Sequence, residues 1–274
     1  MFKMLRIEFS RAFNNKYLFF SILIGSVITI SHLFQYVIPL SSTLDEYLSF
    51  NKPMMYPGWL FASWMGGNQY NMQGYLYYLL IPIISTIPFA DSFFLDRKNG
   101  FIKNVFIRTK KINYYLSKFV ATFIAGGTAV IIPLLINFCI SALLLPSMLP
   151  QASASFDYVN AASMWSELYY NHPFGYVICY MFIDFVFGGL IATIAVVVGH
   201  FVEHRFIVLI SPLLVYIFTF SVFNLFDAIA YEPINFLQPS FGYSSFTIII
   251  IEAVILGLTT SLVFILKGIK DDTY

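Results

Sequence analysis

The chain has 274 residues, 59% of them hydrophobic, 19% aromatic and only 11% charged, with a mean hydropathy of +0.77. A soluble domain carries roughly a quarter of its residues as Asp, Glu, Lys and Arg, so a water-soluble globule, a disordered chain and a collagen are excluded; an all-α integral membrane protein is expected. The net charge of +1 shows no general attraction to nucleic acid, and the informative quantity is where the charges lie.

In chain order, residues 1–16 read as an amphipathic interfacial helix, with Phe2, Leu5, Phe9 and Phe13 on one stripe and Lys3, Ser10 and Asn14 opposite. Six apolar stretches follow, at 17–38, 74–95, 119–145, 174–199, 206–226 and 246–266. Each is long enough to cross, because around twenty residues at about 1.5 Å rise cover the roughly 30 Å hydrocarbon slab. The first has an apolar core too long for a signal peptide and no small-residue cleavage pattern after it, so it is expected to stay attached. Pro82, Pro88, Pro133 and Pro212 fall inside spans, and the pairs Gly126–Gly127 and Gly188–Gly189 suggest close helix packing. Cys139 and Cys179 lie in apolar runs and read as packing residues.

Orientation comes from the fifteen basic residues. Lys3, Arg6, Arg11 and Lys16 precede the first span; Arg97, Lys98, Lys103, Arg108, Lys110, Lys111 and Lys118 lie between the second and third; Arg205 joins the fourth and fifth, and Lys267 and Lys270 follow the sixth. Only Lys52 falls on the other side, so the positive-inside rule places both termini in the cytoplasm. The outer loops then hold Asp45, Glu46, Asp157, Glu167, Asp227 and Glu232, with Trp59, Trp64 and Trp165 at the outer interface in an ordered cap.

The cytoplasmic segment 91–118 is divided by Gly100. The second span is expected to run on to Asp96 or Lys98, and Phe101, Ile102, Val105 and Phe106 to form the apolar face of a short helix ringed by Lys103, Arg108, Lys110 and Lys111. Such a face either seeks a groove or lies against lipid headgroups.

The amphipathic start KMLRIEFSRAFNNKYLFF, the series Asp96, Gly100, Ile102 to Ile107 and Lys118, and the six-span layout together resemble the membrane subunit, or permease, of a bacterial type II ABC exporter. The resemblance covers the whole chain and implies a tilted elbow helix, six membrane helices, short outer helices between spans five and six, and a dimer with a second permease copy or a homologous chain. It also implies that Asp96, Gly100, Phe101, Ile102, Val105, Phe106 and Arg108 couple to separate ATPase subunits that hold ATP and Mg. Glu203, His204 and Arg205 would make a second, smaller contact with the ATPase, Arg205 also anchoring its span at the headgroups. The expected location is a bacterial plasma membrane. The expected cargo is amphipathic or hydrophobic, with antimicrobial peptide export or immunity first among the guesses.

The chain has no G-x-x-x-x-G-K-[ST] phosphate loop, so it is expected to be a transport subunit, without catalytic residues or a bound cofactor of its own. Asp184 and Glu252 lie within spans. With every Lys and Arg placed in loops, they are expected to be protonated, hydrated or hydrogen-bonded to groups such as Asn137, Ser141, Thr193, His32 or tyrosines, lining or bracing the pathway. A gradient-driven carrier would instead use them as proton sites. The string His200, Phe201, Val202, Glu203, His204 spells H-x-x-E-H, which on a helix would hold zinc for an intramembrane metallopeptidase; its place in a brief turn favours no metal.

Overall fold

A computed structural model describes residues 1–49, 58–68, 71–151, 159–160, 163–239 and 244–270, and the described residues contain helices and no strand. Lys52, Asp157 and the Ala152 to Ser155 tract lie outside them. The principal helices are α1 (Phe2–Phe13), α2 (Lys16–Glu46, including a π-helical turn at Leu33–Val37), α3 (Met72–Thr86), α4 (Ser92–Lys98), α5 (Phe101–Arg108), α6 (Lys111–Leu144), α7 (Pro173–Val198), α8 (Arg205–Leu225) and α9 (Phe246–Lys270). Five of these, α2, α6, α7, α8 and α9, are long and apolar enough to span a bilayer, so the chain is an all-α, multi-pass membrane protein.

The second expected span is not one helix. It runs from Met72 to Thr86, breaks into turns over residues 87–91, and resumes as α4. Pro88 supplies the reason: it has no N–H to continue the ladder, so Ile84 O loses its helical donor, although Ile87 itself keeps helical dihedrals. The freed groups are satisfied from outside. Asn15, the N-cap of α2, donates its side-chain amide to Pro88 O at 3.1 Å, and the Ser21 hydroxyl donates to Ile84 O, the carbonyl that position 88 would have bonded.

The same device recurs within the spans. Pro82 cannot bond Tyr78 O, and Tyr216 of α8 donates its hydroxyl there at 3.2 Å. Pro212 leaves Val208 O, which accepts from Ser211 at 3.0 Å. Each hydroxyl meets a carbonyl that hydrocarbon would leave unpaired.

The centre of the bundle is the α6–α7 pair. A Cβ added at Gly126 would stand 2.6 Å from Ala192 Cβ and 3.1 Å from Gly188 O, and one at Gly188 would stand 2.8 Å from Val130 Cγ2. Side chains larger than hydrogen would force the two backbones apart, which accounts for the expected glycine packing. Where α6 ends and α7 begins, Leu60–Ser63 is a short buried helix: Leu60 N–H donates to Pro146 O at 3.1 Å and Phe61 meets Phe174 edge-on at 4.9 Å. Trp59 and Trp64 are buried in this ordered cap, which folds over the ends of α6 and α7, so their rings pack against protein. The stretch after α8 is broken as expected, with a 3₁₀ turn at Ile229–Tyr231 and a helix at Pro233–Phe236 whose Phe236 ring packs 4.9 Å from Phe187.

Candidate functional site at the base of the bundle

The elbow helix forms as expected but buries a different face. Met4, Glu8 and Ala12, spaced four apart, face inward, whereas Phe2 and Phe13 are exposed. The Phe2 and Phe13 end of the expected stripe stays on the outside of the chain, while the neighbouring face of α1 lies on other helices and carries an acid that has a partner there.

That partner is Lys118. The sequence places it in a loop, but α6 begins at Lys111, so Lys118 sits two turns inside the helix and is fully buried. Its ammonium lies 2.5 Å from Glu8 Oε2 and 2.7 Å from Asp96 Oδ2. Arg11 grips Asp96 with both guanidinium nitrogens, at 2.6 and 3.0 Å, and also reaches Glu8 Oε1 at 3.0 Å. The Tyr114 hydroxyl completes the cluster by donating to Asp96 Oδ2 at 2.8 Å. Two carboxylates and two cations thus cancel in charge and tie α1, α4 and α6 together. Aromatic faces close it off: Phe89 lies 4.7 Å from the Lys118 ammonium and Phe101 lies 4.9 Å from the Arg11 guanidinium.

Burial by itself would raise the Asp96 carboxyl, but the hydrogen bonds from Arg11 and the nearby charges of Lys118 and Arg11 outweigh it and hold Asp96 below its ordinary value. Burial would likewise weaken the Arg11 cation, yet Asp96 and Glu8 keep its guanidinium firmly protonated. Of the four charged residues, the sequence singled out Asp96 for coupling and missed Glu8. The available signal was a lone acid, in a basic helix, in register with Met4 and Ala12.

Gly100 has φ +69, the left-handed conformation that ends α4 and starts α5, with Asn99 and Gly100 N–H groups returning to Leu95 O and Arg97 O. The helix after it shows the expected apolar face, but that face is covered from within the chain. Ile102 and Val105 are buried against Met4, Phe93, Tyr114, Tyr115 and Phe264, and Phe106 is half-buried over Tyr114 and Tyr115. The apolar face is therefore used inside the chain, where an aromatic cluster covers it. What remains outside is Phe101, partly, with Lys103, Asn104, Arg108 and the 84%-exposed Ile107.

Residues 199–204 form turns, so H-x-x-E-H does not present its imidazoles from one helical face. His200 is buried among the rings of Phe93, Tyr115 and Phe264, while Glu203 and His204 are exposed. No group of three or more metal-ligating side chains occurs among the described residues. Arg97 donates to Gly199 O and His200 O at 3.2 and 2.8 Å, capping the end of α7. Arg205 pairs with Asp91 at 2.5 Å and lies over Tyr17, so it ties α8 to the break after α3 and is more than a headgroup anchor. Phe94, Arg97, Lys98, Val202, Glu203 and His204 surround a cleft of about 450 Å³.

Inside the bundle, Asn137 does not brace either acid. It accepts from Met65 N–H at 2.9 Å and donates to Thr29 O at 3.0 Å, holding the outer cap to α2 and α6. Asp184 is completely buried on α7 within electrostatic reach of Tyr77, Tyr78, Tyr180 and Tyr216, and neither carboxyl oxygen has a hydrogen-bond partner among the described residues. Glu252 sits apart, on α9, in the wall of an apolar cavity. Of the three expected states, hydrogen bonding to Ser141, Thr193 or His32 is not found among the described residues: Thr193 bonds Thr260 across α7 and α9, and His32 meets Asn137.

Comparison of the chain with protein-family models, with curated proteins and with solved structures found no match.

Proposed function

We propose that this chain is the membrane subunit of an ATP-driven bacterial exporter, powered by separate ATPase subunits and paired with a second permease chain. The observation that carries the reading is the Glu8–Arg11–Asp96–Lys118 cluster. A force applied to α5 is passed through the Gly100 junction to Asp96, and Asp96 is fixed at once to the elbow and to α6, the longest helix of the chain. A buried, fully paired charge network resists being pulled apart, because separation would strand charges in a poorly solvated place. The elbow, α4 and α6 would then move as one lever. α6 contacts α7 backbone to backbone through Gly126 and Gly188, so the displacement reaches the centre of the bundle.

In this reading the ATPase meets the outward face of α5, namely Lys103, Asn104, Ile107 and Arg108, together with the cleft bordered by Glu203 and His204. Both faces belong to the cytoplasm under the positive-inside arrangement of the basic residues, with both termini inside. The α3–turn–α4 segment serves as the sixth crossing, and the cargo is hydrophobic or amphipathic, an antimicrobial peptide being the first choice. The test is co-purification: expressed in a bacterial plasma membrane with an affinity tag, the chain is expected to bring down an ABC ATPase whose hydrolysis it stimulates, and Ile107→Asp with Lys103→Glu is expected to lose that ATPase. Retention of the ATPase by the double variant would refute this docking face.

Asp184 favours one second reading, a gradient-driven carrier, since an unpartnered buried carboxyl ringed by tyrosines is a natural proton site. Proton-driven uptake by liposomes holding the lone chain, abolished by Asp184→Asn, would establish it in place of the first.

A further inference from the structure

Between α7, α8 and α9 lies a cavity of about 280 Å³, walled by Phe187, Ile191, Val215, Phe223, Ile255 and Leu256. Val215 and Ile255 are also exposed on the bundle's outer surface, so the cavity opens to the outside of the bundle there. One acid enters this apolar wall. Glu252 Oε1 is buried and has no hydrogen-bond partner among the described residues.

The wall's own donors are already used. Thr219 donates to Val215 O at 2.7 Å, Thr259 to Ile255 O at 2.7 Å, and Tyr216 to Tyr78 O at 3.2 Å. No Lys, Arg or His is among the residues that line the cavity. A carboxylate in such surroundings is costly unless a donor reaches it, and a cationic donor forms the strongest bond. Left alone the acid is favoured in its neutral, protonated form; a ligand able to hold it as a carboxylate would bring a positive charge and, to sit in this wall, an apolar body.

We propose that this cavity is a binding site for a primary-amine amphiphile, with the ammonium on the Glu252 carboxylate and the hydrocarbon leaving between Val215 and Ile255 into the bilayer. The site is independent of the ATPase reading, since binding is a property of the lone chain. The ammonium can belong to a free amphiphile or to an aminophospholipid headgroup.

The test uses the full chain in nanodiscs of phosphatidylcholine and phosphatidylglycerol, with radiolabelled dodecylamine as probe. Saturable binding of one probe per chain is expected, competed by unlabelled decylamine and not by dodecanol. Glu252→Gln is expected to weaken it at least tenfold, and Ile255→Trp, a change at a lipid-exposed position that fills the mouth, is expected to block it with the fold intact. Competition by added phosphatidylethanolamine assigns the amine to lipid; lack of it assigns the site to free amphiphiles. Unchanged binding in Glu252→Gln, equal displacement by dodecanol, or no saturable binding beyond that of empty discs would each overturn the proposal.

Discussion

The Lys118 ammonium stands 2.5 Å from the Glu8 carboxylate, and neither side chain touches solvent. Around this pair the chain joins its first helix to the base of its longest one, so the elbow is a structural member of the bundle as well as a float on the membrane surface. Removing one partner leaves a buried charge unopposed. Lys118→Ala is therefore expected to cost about 3–5 kcal/mol, whereas replacing Glu8 and Lys118 together by Met should cost far less than the two single changes added. Thermal unfolding in detergent measures both, and simple additivity would show that the pair is not coupled.

The depressed Asp96 carboxyl makes stability depend on acidity. The folded protein binds this proton more weakly than the unfolded chain does, so the stabilisation is fully present above the ordinary carboxylate range and is lost as pH falls through the lowered value. Wild-type Tm is expected to drop in that acidic window, with Asp96→Asn lower than wild type at neutral pH and flatter across the window. An equally steep acid limb in the variant would assign the effect to another group.

Gly100 separates two backbone effects from any crowding effect, because a Cβ there meets nothing within 4 Å. Gly100→Ala should cost roughly 1 kcal/mol from the left-handed conformation alone, and Gly100→Asn less. Gly100→Pro, which cannot adopt positive φ, should do more damage and uncouple any partner ATPase. Unfolding midpoints that fall in the order Gly100→Asn, Gly100→Ala, Gly100→Pro check the assignment.

At the bundle centre, Gly126→Ala is expected to destabilise by about 1–3 kcal/mol, since its new methyl meets Ala192 at 2.6 Å and two backbone carbonyls close by. Gly175→Ala offers the control, with nothing nearer than 3.8 Å. Equal midpoints for the two would argue against close contact of α6 and α7.

The two faces of α5 should part in their phenotypes. Ile102, 1% exposed, lies in the aromatic cluster, and Ile102→Asp should lower the unfolding midpoint by the equivalent of several kcal/mol. Ile107→Asp should leave it within about 0.5 kcal/mol and act only on partner binding. A cysteine at Asn104 is expected to react with a membrane-impermeant thiol reagent from the cytoplasmic side of inverted vesicles alone.

Five spans were legible as apolar runs because lipid imposes one rule on every residue of a crossing helix. The sixth run misled: Gly74 to Leu95 is apolar but for Asp91 and a few hydroxyls, yet Pro88 and the hydroxyl and amide donors from α2 favour a break over a continuous helix. Gly100 announced its turn, since only its own backbone freedom was at stake. The burial of Lys118 and the inward face of α5 were not legible, because each depends on a partner far off in sequence: Glu8 for the one, Met4 and Phe264 for the other. Charges counted as surface by sign alone can be interior by pairing.

The break after Thr86 also bears on the surrounding lipid. Fifteen residues of α3 rise only about 22 Å, short of the roughly 30 Å that an unperturbed hydrocarbon slab requires. On the flank where Tyr17, Asp91 and Arg205 meet, polar groups thus follow α3 after one short turn, and where this flank faces lipid a local thinning of the bilayer is expected. Short-chain lipids would fit such a flank better than long ones, and reconstitution across a series of acyl-chain lengths is expected to read this as a higher Tm in the thinner bilayers.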